Sequence, residues 1–296
     1  MSMNVSQQET QYKKPGVGTI IGGTIAGGLV QNTVTGMQQG IGLAAMQNMR
    51  KIASNLTADE FKQIAQATKD VMNTSGLKEA GVSILKANAK NNMQIKKTIL
   101  KELNGGLLSK NFPKKLKHLL ANQIKAQTDL GVNAFFAPLS KKIVMPDKSL
   151  GLAFFHEAGH AINANLSKFG KVLQKCRPLA ALAIPIALIG LCKTKKAPNE
   201  KPKGIIDKVT TFIKNNAGKL TFASLMPIVL EEGLASIHAQ KMAKSLLSPE
   251  LAKKVAKTNA WGFATYAGLA VLAGLGSWLG VKVKDAIASP KPIEQN

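Results

Sequence analysis

Arginine, aromatics, cysteine, acid and histidine are all scarce in this chain, and each shortage excludes something. Of 40 basic residues only Arg50 and Arg177 are arginine, and aromatics make up 5% of the chain. Proteins that read nucleic acids rely on arginine forks and aromatic stacking, so nucleic acid is not the expected partner. Only 16 Asp and Glu oppose the basic residues, leaving a net charge of +24. The lysines flank apolar runs, as juxtamembrane residues do on an anionic surface, so the expected partner is a lipid bilayer. The two cysteines, Cys176 and Cys192, bracket one apolar run. Sixteen residues of helix would hold them about 24 Å apart, beyond disulfide reach, which fits a reducing compartment. The N-terminus does not read as a cleaved secretory signal, because its first apolar run starts late and is rich in glycine.

What is present divides the chain into five segments. Residues 1–14 form a polar, loose tail. Residues 15–49 carry no charge and read as a glycine-rich, membrane-associating segment, with Gly23/Gly27 and Gly36/Gly40 spaced for close helix packing; a flexible arm is the alternative. Residues 50–128 read as basic and helical. Thr57 and Glu60 make a capping-box pattern closed by Gly76, helical period continues through LKEAGVSILKANAK and MQIKKTILKELN, and Pro113 opens another helix. Residues 129–245 are read as a core segment that holds a helical hairpin, 178–230, and three of the four histidines. Both apolar runs of that hairpin hold a proline and are short for a full span. Residues 246–296 hold the clearest transmembrane helix, Ala260–Val281, with Trp261 and Trp278 near its ends, followed by a basic tail. The expected fold is therefore mainly α and membrane-associated.

The chemistry centres on FFHEAGHAIN, Phe154–Asn163, which uses two of only four histidines. His156 and His160 stand at i and i+4, so a helix projects both from one face toward a shared metal ion, and Glu157 is placed to act on a water beside it. From the composition, chance supplies this pattern in roughly two of a thousand such chains. Apolar flanks make the helix a buried one, with Ser149 as the expected N-cap and Gly170 as the expected stop. Gly159 inside that helix is explained by close approach of a neighbouring helix. Just upstream, GVNAFFAPLSKKIVMPDK reads as a small β-hairpin or an edge strand plus loop, which could pair with extended substrate. His118 and His238 read as surface histidines.

A catalytic zinc ion wants a third protein ligand. Most carboxylates after His160 lie in solvated or terminal segments, whereas Glu231 and Glu232 are fed in from the apolar run LTFASLMPIVL. HEAGH, two apolar segments and a Glu-x-x-Ala helix resemble the membrane-bound gluzincin metallopeptidases of the CAAX-prenyl-protease and HtpX type. Asn133-Ala134-Phe135 followed by Ile143-Val144 is similar to the strand entry before that family's zinc helix. The resemblance covers roughly residues 130–245. It implies Zn2+ held by His156, His160 and Glu232, with Glu157 as general base and Glu231 facing the lysine-rich surface or the shell behind the ligands; the opposite assignment, Glu231 as third ligand, is the alternative. Ser236 departs from the family, standing where it has an aspartate. HEAGH is also similar to that of FtsH peptidases, but no phosphate-binding GxxxxGK[ST] loop accompanies it.

The expected activity is zinc-dependent hydrolysis of protein or peptide substrate at the membrane, the site facing the cytoplasm. A non-enzymatic membrane helical protein or degenerate peptidase is the competing class, favoured by the absent aspartate and the short apolar runs.

Overall fold

The computed structural model describes residues 11–105, 113–129, 134–146 and 151–293. Among these the fold is mainly α, and the contacts divide the chain into two compact units. One comprises Gln39–Ala180 and Leu225–Gly268; the other comprises Met1–Gln38, Ala181–Ser224 and Leu269–Asn296. The five sequential segments do not map one to one onto these units, because each unit is assembled from separated stretches of chain.

Helix α1 (Val17–Ser54) makes the glycine-rich segment one continuous helix. In the first-described unit it leads to α2 (Ala58–Thr74), whose capping box forms as expected. The Glu60 N–H donates to Thr57 Oγ1 at 3.2 Å, and the Thr57 N–H donates to the Glu60 carboxylate at 2.8 Å. Gly76 follows at φ 78°, a left-handed conformation that glycine adopts without strain.

The next stretch departs from the helical reading. Ser83–Ala87 is a strand, β2, following β1 (Tyr12–Lys13) in chain order. A 3-10 turn at Ala89–Asn91, α3 (Asn92–Gly105) and α4 (Lys114–Asp129) follow it. The expected hairpin is β3 (Phe135–Ala137) antiparallel to β4 (Lys142–Pro146), with Phe136 opposite Ile143. Strand β2 joins β4 in parallel, Ser83 opposite Lys142 through Ala87 opposite Pro146, giving the order β2-β4-β3. Both faces of β4 are covered. Ile143 and Met145 enter a core with Phe154, Phe155, Ile64 and Val71, while Val144 enters another with Leu85, Ile95 and Ile99. Alternate strand residues point to opposite faces, so a strand buried on both reads as an unbroken apolar run. Gly81, at φ 81°, interrupts the helical pattern and delivers Val82 and Leu85 into these cores.

Helix α5 (Ala153–Asn165) carries the histidine motif. Its N-cap is Leu152, which makes no side-chain cap, so the expectation for Ser149 is not met; Ser149 itself lies outside the described residues, as does Asn133. Nor does Gly170 stop this helix. The chain turns at Leu166, and Ser167 caps α6 (Lys168–Cys176) by accepting the Gly170 N–H at 3.0 Å. A Cβ on Gly170 would lie 2.5 Å from Asn163 Cα, so glycine lets α6 fold back against α5.

A 3-10 segment (Arg177–Leu182) carries on into α7 (Ala183–Cys192), with Pro178 and Pro185 at the places where regular α hydrogen bonding lapses. The apolar run after the zinc motif is thereby extended to Lys168–Cys192. Helix α8 (Gly204–Asn215) is inserted within the expected hairpin, ahead of α9 (Ala217–Leu246), which accommodates Pro227. Helix α10 (Pro249–Ile287) is longer than the expected span. Strand β5 (Lys291–Pro292) pairs with β1, so part of the expected N-terminal tail is held in a strand pair.

Three stretches, Lys168–Cys192, Ala217–Leu246 and Pro249–Ile287, are long and apolar enough to cross a membrane. Only 17% of the most apolar window of the first is buried in the protein, the condition of a lipid-facing surface rather than a globular core. The protein is therefore of membrane type. In its second-described unit Gly27 packs so closely that a Cβ would stand 2.3 Å from the Gly280 carbonyl, whereas Gly36 and Gly40 have nothing within 4 Å. One of the two glycine pairs is thus a helix-packing site and the other faces open space.

Candidate metal centre

The site is built where α5 and α9 touch. A Cβ on Gly159 would lie 2.2 Å from the Ala235 carbonyl oxygen, so only glycine lets the helices approach this closely. Ala235, fully buried, is small enough to meet it. That contact explains glycine inside a helix, where it costs about 1 kcal/mol against alanine. It also brings the imidazoles of α5 within reach of the glutamates of α9.

His156 Nε2 and His160 Nε2 are 3.0 Å apart. Glu232 Oε2 lies 3.1 Å from the first and 3.3 Å from the second. Ligands about 2.05 Å from a tetrahedral zinc ion stand about 3.3 Å from one another, so all three separations come within about 0.3 Å of that edge. The set of two imidazoles and a carboxylate suits zinc chemically as well as geometrically. These are the three metal-capable groups that converge among the described residues, all ligand atoms within 4.8 Å.

The nitrogens turned away from this centre have partners of their own. His160 Nδ1 is 2.9 Å from Glu231 Oε1, and His156 Nδ1 is 3.4 Å from Ser236 Oγ. Such contacts fix the tautomer: with each Nδ1 carrying the proton, it donates outward and Nε2 offers its lone pair inward. Ser236, in place of the aspartate, supplies the weaker of the two supports. Glu231 is fully buried, not on the surface, and accepts from Asn163 Nδ2 at 2.9 Å, Gln174 Nε2 at 2.7 Å and the Arg177 guanidinium. Arg177 also reaches Glu232, at 3.5 Å.

Glu157 is buried beside the two imidazoles, and burial pushes its carboxyl above the ordinary range although His160 and His156 pull it back. The backbone of Phe136, on β3, comes near enough to draw it back a little further. Burial pulls His160 down, but hydrogen bonds to Glu231 and Glu232 outweigh it and raise the imidazole to about 10. Without a metal, therefore, a proton sits on His160 among the carboxylates, in the place a cation would take.

No protein-family model, curated protein or solved structure matches this chain. The functional reading accordingly rests on its own residues.

Four site residues escaped the sequence reading: Asn163, Gln174, Arg177 and Tyr266. Tyr266, on α10, lies within electrostatic reach of Glu232, Glu157, Arg177 and Glu231. A signal existed for Arg177, one of two arginines in a lysine-rich chain, standing at the head of an apolar run. Asn163 also carried one, three residues after His160 and on its helix face. His238 is half-buried rather than a surface residue, and its Nε2 is buried without a partner.

Proposed function

We propose that this chain is a zinc-dependent membrane endopeptidase, with zinc held by His156, His160 and Glu232 and with Glu157 as general base. The observation that carries the reading is the convergence of three ligand atoms from two helices at tetrahedral-edge distances, with a fourth, buried carboxylate beside them. Charge supports it. Three carboxylates are buried here, Glu157, Glu231 and Glu232, and one guanidinium, Arg177, pairs with the latter two, a deficit that a divalent cation would balance.

A zinc ion bound there would supply Lewis acidity to a scissile carbonyl and to a water. Glu157 takes that water's proton and passes it to the leaving amine, a task suited to a carboxyl whose affinity for protons burial has raised. Glu231 holds His160 through Nδ1, while Arg177 is engaged in pinning Glu231 and Glu232. Tyr266, whose hydroxyl lies within electrostatic reach of these groups, is assigned to the oxyanion.

Strand β3 is an outer strand of its sheet, and the backbone of its Phe136 lies near Glu157. An extended protein or peptide substrate laid along it would present its backbone beside the base. Lys141, Lys142, Lys168, Lys171 and Lys175 surround the motif in sequence, and the positive-inside tendency assigns the site to the cytoplasmic face of an anionic membrane.

The test is Glu157→Gln. It should retain zinc and lose hydrolysis of a quenched unfolded-protein substrate by about 100-fold or more. Undiminished turnover in a variant that still binds zinc would remove this mechanism.

A further inference from the structure

Helix α8 carries an apolar face that the described residues of its own unit leave largely exposed. Ile205 and Ile206 are 80% and 81% exposed, and Val209 and Phe212 are 50% and 60% exposed. At 100° per residue these four fall within about 120° of one another on the helix. Asp207 and Lys214 lie on the opposite side, and it is they that tie α8 to the protein. Asp207 pairs with Lys193, at the end of α7, and with Lys196 at 2.9 Å. Lys214, almost fully buried, reaches Asp285 near the end of α10 at 2.6 Å.

Lys284 donates to the Lys193 carbonyl and lies 3.4 Å from Asp285, so the ends of α7 and α10 meet. Asp207 and Lys214, seven residues apart, thus fasten α8 where those two apolar helices end. The chain leaves one candidate span at Cys192 and enters the next at Ala217, with α8 between them.

We infer that α8 is an in-plane membrane anchor, lying at the headgroup–acyl boundary of an anionic bilayer with Ile205, Ile206, Val209 and Phe212 immersed. Two observations name this occupant. The helix just before it in the chain, α7, also exposes apolar residues, Ile184 at 70% and Leu188 at 55%, in a candidate span. The flanking stretch is strongly basic, with six lysines against Glu200 and Asp207 between Lys193 and Lys208, the complement of acidic headgroups. Apolar residues on one side of a short helix beside a lysine-rich loop are what interfacial binding needs. The inference rests on the membrane setting and is independent of the metal chemistry.

The experiment uses the full chain in a Cys176→Ser, Cys192→Ser background. Single cysteines replace Ile205, Phe212 or, as an aqueous reference, the exposed loop residue Asn199, and each carries an environment-sensitive fluorophore. Each protein is reconstituted at high lipid excess into phosphatidylcholine/phosphatidylglycerol vesicles containing lipids spin-labelled at shallow or deep acyl positions. The anchor predicts blue-shifted emission at 205 and 212, with shallow quenching about twofold or more above that at 199. Water-like emission at 205 and 212 would overturn it. So would shielding that disappears on dilution of protein in lipid, which would mean a second copy covers the face.

Discussion

The two compact units both bury charge among apolar helices, and they satisfy it in opposite ways. In the unit containing α7 and α8, Lys214 and Lys284 are almost wholly buried, and each finds a carboxylate or a carbonyl. The two lysines share one carboxylate, Asp285, and the Lys193 carbonyl completes the set. In the unit containing α5 and the site half of α9, Glu231 and Glu232 are as deeply buried, but their imidazole partners turn lone-pair atoms toward one another at 3.0 to 3.3 Å. Three acceptors that close repel unless a cation or proton lies among them. A self-satisfied cluster holds helices together; one left short of positive charge is what the proposed metal ion would complete.

The comparison breaks most sharply at glycine. In Gly159→Val the side chain would collide with the Ala235 carbonyl, at a cost of about 1–3 kcal/mol or more. Gly27→Val meets the Gly280 carbonyl in the same way. Both should lower the unfolding midpoint in detergent, but only the first should lose zinc. Equal zinc retention would mean that the α5–α9 approach does not make the site.

An effect on stability alone, with zinc unchanged, is expected in the paired cluster. Lys214→Met strips Asp285 of its nearest cation, which at a buried pair costs about 3–5 kcal/mol. Lys284 still lies 3.4 Å from Asp285, so the loss should fall at the low end. The double variant Lys214→Met, Asp285→Leu should recover most of it. Thermal unfolding of the three proteins decides; a double variant worse than the single would show that the pair stabilises beyond cancelling its own charges.

Behind the ligands the effects shrink further. Glu231→Gln keeps an acceptor for Arg177 but weakens the hold on His160, and zinc affinity should fall about 10–100-fold. Ser236→Ala removes only a 3.4 Å contact to His156 and should cost less than about tenfold. Competition with a zinc chelator ranks both; a reversed ranking would make Ser236 the main support.

Sequence pattern carried the parts of this arrangement that are local. His156, Glu157 and His160 sit within one and a half helical turns, and Gly159 announced a close neighbour that proved to be Ala235. Thr57 with Glu60, three residues apart, announced a helix start. What escaped depends on distant partners. Ser83–Ala87 has apolar residues that fit a helix period as well as a strand, and pairing with Lys142–Pro146 decides between them. Arg177 gains its role only when α6 folds back so that its guanidinium reaches Glu231, 54 residues on. Gly170 was legible as special, but as a chain stop rather than the packing contact with Asn163 that it is.

The most direct test of the central claim is zinc content in the purified protein and in single Glu232→Ala and Glu231→Ala variants. Glu232 offers the atom that completes the three-ligand set, whereas Glu231 grips the far side of His160. The account predicts about one zinc per chain in the parent, loss in Glu232→Ala, and retention at reduced affinity in Glu231→Ala. Full zinc in Glu232→Ala, or none in the parent after metal loading, would contradict it.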